Sequence, residues 1–109
     1  MTIQNFAKQF NFKVLCMPEP EREIDGVYIG DLLSWVMGKA ESGNVWITIM
    51  SNINIVAVAS LTDVSTILLS ENVEPDVDAL RTAEAKGINI LSTPLSSYEV
   101  AARIAGVLS

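Results

Sequence analysis

The apolar and polar positions fall into a succession that occurs three times. Val45 to Ile49 is an unbroken apolar and β-branched run; polar Ser51-Asn52 follows it, and then INIVAVASL over residues 53 to 61. Ser65 to Leu69 leads in the same way through Ser70-Glu71-Asn72 into DVDALRTAEAKG. Ile88 to Leu91 leads through Ser92-Thr93 into YEVAARIAGVL. Strand-like runs alternating with helical ones predict βαβ units and a parallel sheet with flanking helices in a single α/β domain spanning residues 1 to 109. Ligands of such sheets bind outside the carboxyl ends of the strands. The candidate ligand-binding residues are therefore Ser51, Asn52, Asn54, Ser70, Glu71, Asn72, Ser92 and Thr93.

Residues 53 to 61 fit two periods. Ile53, Val56, Ala57, Ser60 and Leu61 suit a helix, whereas Ile53, Ile55, Ala57 and Ala59 suit one face of a strand. Helix is the consistent choice, because parallel strands on either side need a crossover of about a dozen residues. Pro75 is expected in the first turn of the next helix and Gly87 at its end, while Ser96 and Glu99 form a capping-box pair for the last one.

The N-terminal part reads less regularly. Thr2 can cap a short helix through Gln9 that presents Ile3, Phe6, Ala7 and Phe10 to the sheet. Phe12 to Cys16 reads as a strand. Met17 to Glu23, with Pro18 and Pro20 among acidic residues, reads as an exposed loop. Ile24 to Ile29 is a second extended piece, turned at Asp25-Gly26. Asp31 is then expected to cap a helix through Lys39 that buries Leu32, Leu33, Trp35 and Val36, with Ser42-Gly43-Asn44 turning into the next strand. Trp35 and Trp46 both read as core anchors, and Met17, Met37 and Met50 as gap-fillers.

Half of the 109 residues are apolar, enough for one buried core. The formal net charge of −6, with only seven scattered basic residues, opposes binding to nucleic acid or an anionic membrane. Val45 to Leu61 is interrupted by Thr48, Ser51, Asn52, Asn54 and Ser60, so it does not read as a membrane span. A single cysteine, Cys16, and no secretory leader pattern point to the cytoplasm. A positive mean hydropathy of +0.36 in so short a chain points to an apolar interface, and a homodimer is expected.

Histidine is absent, which removes the commonest general base and metal ligand. No GxxxxGK[ST], GxGxxG or GxSxG motif occurs, and one thiolate cannot hold a zinc ion or an iron-sulfur cluster by itself. Catalytic and metal-ligating residues are thus expected to be none, and no cofactor is expected. Hydroxyls and amides at the strand ends could hold an anion or a polar small molecule, although Glu71 would repel phosphate; capping and turn formation account for the same residues.

ITIMSNINIVAVASL, STILLSENVEPDVDALRTAEAKGINILSTPLSSYEVAARI and DGVYIGDLLSWVM carry a resemblance to the DRTGG domain family, whose fold is similar to the N-terminal domain of HPr kinase/phosphorylase. Ser51-Asn52 stands where that family has glycine-aspartate, and Ser70-Glu71-Asn72 where it has threonine-glycine-glycine. The kinase P-loop belongs to a separate domain of the full-length enzymes, so the resemblance implies no kinase activity. It implies a non-catalytic regulatory or partner-binding domain, of the type encoded beside iron-only hydrogenases and accessory to a redox system. The polar strand ends suggest a second role, sensing of a nucleotide or other metabolite.

Overall fold

The computed structural model describes residues 1–108. In chain order the elements are α1 (Ile3–Gln9), β1 (Lys13–Cys16), β2 (Val27–Ile29), α2 (Leu33–Lys39), β3 (Val45–Thr48), α3 (Asn54–Thr62), β4 (Thr66–Leu69), α4 (Val77–Lys86), β5 (Ile90–Ser92) and α5 (Ser97–Leu108). The five strands form one sheet in the order β1-β5-β4-β3-β2, in which β2 to β5 run parallel and β1 closes one edge antiparallel. Residues 53 to 61 fall in and beside α3, as the crossover requirement demands.

Side chains on successive strand positions point to opposite faces, and the two faces build separate cores. Trp46, Ile67, Leu69 and Ile90 meet Val36 of α2, Ile55, Val56 and Ala59 of α3, and Ala79 and Ala83 of α4. Val45, Ile47, Leu68 and Leu91 meet Ile3, Phe6 and Ala7 of α1 and Val100 and Ile104 of α5. Phe6, Phe10 and Phe12 cluster on this second face, with Phe6 edge-on to both neighbours. The result is a three-layer α/β/α arrangement. It explains why β3 and β4 read as continuous apolar runs, since every residue of both is buried.

Several local expectations change. Asp31 does not cap α2: that helix begins after Leu32 without a side-chain cap, and the Asp31 carboxylate turns to β3 instead. Of the residues expected to be buried on α2, only Val36 is buried and Leu33 is half-buried; Leu32 is 60% and Trp35 58% exposed. The helix packs against α3 and joins the core around Trp46 through Val36, with Leu33 beside it, so one row of side chains suffices to seat it. Met37 is likewise exposed, whereas Trp46 is fully buried and donates its indole N–H to Gly30 O at 2.9 Å.

Pro75 precedes the Asp76 cap rather than occupying the first turn of α4, because Asp76 N–H is engaged by Ser51 O. β5 starts at Ile90 rather than Ile88. Ile88 N–H is used in closing α4 onto Ala83 O, and the buried Asn89 side chain bonds elsewhere. Gly87 ends α4 at φ +75°, and the Ser96 and Glu99 capping box is formed in both directions, at 3.1 and 3.3 Å.

Candidate functional site

Three parallel strands lie side by side in the order β5-β4-β3, so their carboxyl ends share one end of the sheet. The loops that follow diverge: α3 and α4 return over one face, while α5 crosses to the other. The divergence falls between β4 and β5, which makes it a topological switch point, the place where open α/β sheets bind ligands. Ser70, Glu71 and Asn72 stand on one side of it and Ser92 and Thr93 on the other. The structure thus brings the candidate residues to one end of the molecule.

The two loops are tied together by backbone. Glu71 N–H donates to Leu95 O at 2.8 Å, and Asn72 N–H to Thr93 O at 2.9 Å. Both donors are aimed across the gap because Glu71 and Asn72 are consecutive left-handed residues, with φ of +59° and +57°. Neither is glycine, so each holds a conformation that L side chains seldom adopt. The Ser70 and Ser97 hydroxyls share a 2.7 Å hydrogen bond beneath them. Ser70, Ser92 and Thr93 are buried; Glu71 and Asn72 point their side chains outward.

The neighbouring loop after β3 is fixed in the same manner. Asn52 Oδ1 accepts the Asn54 N–H at 2.9 Å, and Ser51 O accepts Asp76 N–H from the loop after β4. Asn54 is exposed, while Ser51 and Asn52 are half-buried. Asp31, which sequence reasoning took for a helix cap, joins this end: its carboxylate accepts the Thr48 hydroxyl at 2.8 Å and Ile49 N–H at 3.0 Å. Its signal in the sequence was position, directly after the β2 run and Gly30.

These bonds define what the site can do. Asn52 Oδ1 takes the Asn54 N–H, and Ser96 and Glu99 bond one another's N–H groups, whereas α4 starts at Asp76 without a side-chain cap. Outward at this end are the Glu71 carboxylate and the adjacent Asn72 amide, Asn54 on the loop after β3, and the further carboxylates of Asp31, Glu74 and Asp76. That set suits hydroxyls, amines and the edge of a heterocycle. Two cavities are formed elsewhere, one of about 360 Å³ at the amino ends of β4 and β5 and one of about 320 Å³ beside α1 and β1.

Cys16 lies outside this region. Its thiol donates to Glu84 Oε2 at 3.2 Å and to Ile88 O at 3.3 Å. Burial first, and then the hydrogen bond and charge of Glu84, push the thiol up to about 12, so it stays protonated and a poor nucleophile.

A three-layer domain with four parallel strands, one antiparallel edge strand and a switch point between β4 and β5 is the class that this architecture defines. The family model for the DRTGG domain matches residues 5–107, and the chain belongs to the DRTGG domain family. Among solved structures it is similar to the CBS and DRTGG domains of the regulatory region of Clostridium perfringens pyrophosphatase, complexed with the activator diadenosine tetraphosphate. The TM-score is 0.71 at 17% identity, over 94% of this chain and 44% of that one. The chain therefore spans less than half of that solved chain. Comparison with curated proteins finds no match.

Proposed function

We propose that this domain is a non-catalytic regulatory module that senses a small polar molecule, with a nucleoside as the chemical class, at the carboxyl ends of β3, β4 and β5. The observation that carries this reading is the switch point between β4 and β5, where Glu71 and Asn72 form a strained left-handed pair, with Asn52 and Asn54 on the neighbouring loop at the same end of the sheet. A carboxylate next to amides suits ribose hydroxyls and a base edge better than phosphates. The pyrophosphatase regulatory region similar to this chain, which holds CBS domains as well as a DRTGG domain, is complexed with diadenosine tetraphosphate, and this makes adenine nucleosides and nucleotides the first probes.

The test is calorimetric titration with adenosine, AMP, ATP and diadenosine tetraphosphate. Binding of adenosine should survive removal of the phosphates, and Asn72→Leu or Glu71→Gln should abolish it. Asn52→Leu should weaken binding as well, with a stability loss of only about 1 kcal/mol from the missing cap. Absence of binding by all four compounds, or binding that is indifferent to these substitutions, would refute the reading.

A second reading, docking of a protein, is favoured by the exposed apolar side chains Ile29, Leu32 and Trp35, which run from the end of edge strand β2 into α2. Exposed apolar side chains grouped in this way mark interaction surfaces. We assign this face to a homodimer, and a redox or hydrogenase system is the setting that the family resemblance implies for any further partner.

A further inference from the structure

The larger of the two cavities lies at the end of the sheet opposite the switch point. Its walls are Glu19 and Arg22 of the loop between β1 and β2, Asp63 and Ser65 between α3 and β4, and Lys86 and Gly87 at the end of α4. The loop reads as a free, proline-broken stretch, yet the fold fastens it down. Buried Asn89 accepts from Glu19 N–H at 2.9 Å and donates to Glu19 O at 2.8 Å and to Ser65 O at 3.0 Å. Pro20 O and Arg22 O accept from Gln4 N–H and Ile3 N–H of α1. Backbone on opposite walls is therefore held in place before any ligand arrives, the condition under which binding costs least ordering.

The charges on these walls divide unequally. Arg22 Nη2 bonds both Asp63 O, at 2.7 Å, and Asp63 Oδ2, at 3.1 Å, and the Ser42 hydroxyl takes the same carboxylate. Asp63 is thereby spent, and its carboxyl is held below the usual carboxylate range by the Ser42 bond first and Arg22 second. Glu19 and Lys86 are different: they carry opposite charges on one cavity and form no ion pair among the described residues. Glu19 Oε1 stands 3.4 Å from where a β-carbon on Gly87 would be, an ordinary contact distance, so the carboxylate lies over the end of α4.

We propose that this cavity binds a small zwitterion, a free α-amino acid. Its ammonium group would meet Glu19 beside the carboxyl-terminal ends of α3 and α4, where helix dipoles favour a cation. Its carboxylate would meet Lys86 and the N–H groups of Arg22 that Asp63 leaves free, since a guanidinium carries five. A cavity of about 360 Å³ accommodates such a molecule.

The experiment is a thermal-shift screen of the intact chain against each standard α-amino acid at about 10 mM, followed by calorimetry on any that respond. At least one amino acid should raise the midpoint by several degrees, and its N-acetyl and methyl-ester forms should not. Glu19→Gln and Lys86→Gln should each cut affinity at least tenfold; both residues are exposed, so the unliganded midpoint should stay put. Arg103→Gln, on the far face, should leave the shift intact. The proposal fails if no amino acid responds, if a derivative with one charge removed responds equally, or if the shift persists in both variants. Adenosine binding at the other end of the sheet is read separately and can fail or succeed on its own.

Discussion

The Asp31 carboxylate and the Thr48 hydroxyl meet at 2.8 Å across the ends of two adjacent parallel strands, and the same oxygen accepts Ile49 N–H at 3.0 Å. Thr48 is fully buried, and its hydroxyl oxygen also accepts Met50 N–H at 3.2 Å. One exposed aspartate thus terminates β3 and sets the first residues of the loop that carries Ser51 and Asn52.

Removing that carboxylate should be costly for a surface position. Asp31→Ala leaves a buried hydroxyl and a backbone N–H without their acceptor, for an expected loss of about 1–3 kcal/mol in urea unfolding. Asp31→Asn, which retains a carbonyl oxygen, should lose less than half as much. Equal losses in the two variants would show that charge rather than hydrogen bonding matters there.

The left-handed pair makes an opposite prediction. Glu71→Gly should raise stability by about 0.5–1 kcal/mol, because glycine adopts φ near +59° without strain. Asn72→Gly should be nearly neutral, since asparagine tolerates this region better than glutamate does. If Glu71 serves ligand binding, the stabilised variant should also lose adenosine affinity, a trade that unfolding and calorimetry together would reveal.

Cys16 predicts a pH dependence with a definite sign. The unfolded thiol ionises near its ordinary 9.0, whereas the folded one holds its proton to about 12. Its contribution is complete below about pH 9 and is lost as pH rises toward 12, so unfolding free energy should fall across that window. Cys16→Ala removes this contribution, and the difference between the two proteins should shrink with rising pH. At pH 8, Cys16 should react with a disulfide reagent far more slowly in the native state than in urea.

Light scattering at about 50 µM should give a dimeric mass, in keeping with the apolar face at Ile29, Leu32 and Trp35. Leu32→Glu combined with Trp35→Glu should shift the protein to monomer while its circular dichroism is unchanged, because both side chains are exposed. A monomer in the unaltered protein would remove the dimer assignment.

By itself the sequence determined the elements and their layering. Runs such as Val45 to Thr48 and Thr66 to Leu69 are apolar throughout because both faces of their strands are covered, and that property is local enough to read. It also placed Ser51, Asn52, Ser70, Asn72 and Thr93 at one end, since parallel strands put their carboxyl ends together. Only the tertiary structure decided which side chains lie free. Trp35 and Trp46 are both flanked by apolar residues, yet β3 is an interior strand while α2 enters the core only through Val36 and Leu33, so one indole is buried and the other is exposed. Likewise, the period of residues 17 to 23 cannot disclose that Asn89, some 70 positions away, fastens Glu19 to the wall of a cavity. Burial and hydrogen-bond partners of that kind depend on strand order, and strand order is a property of the whole chain.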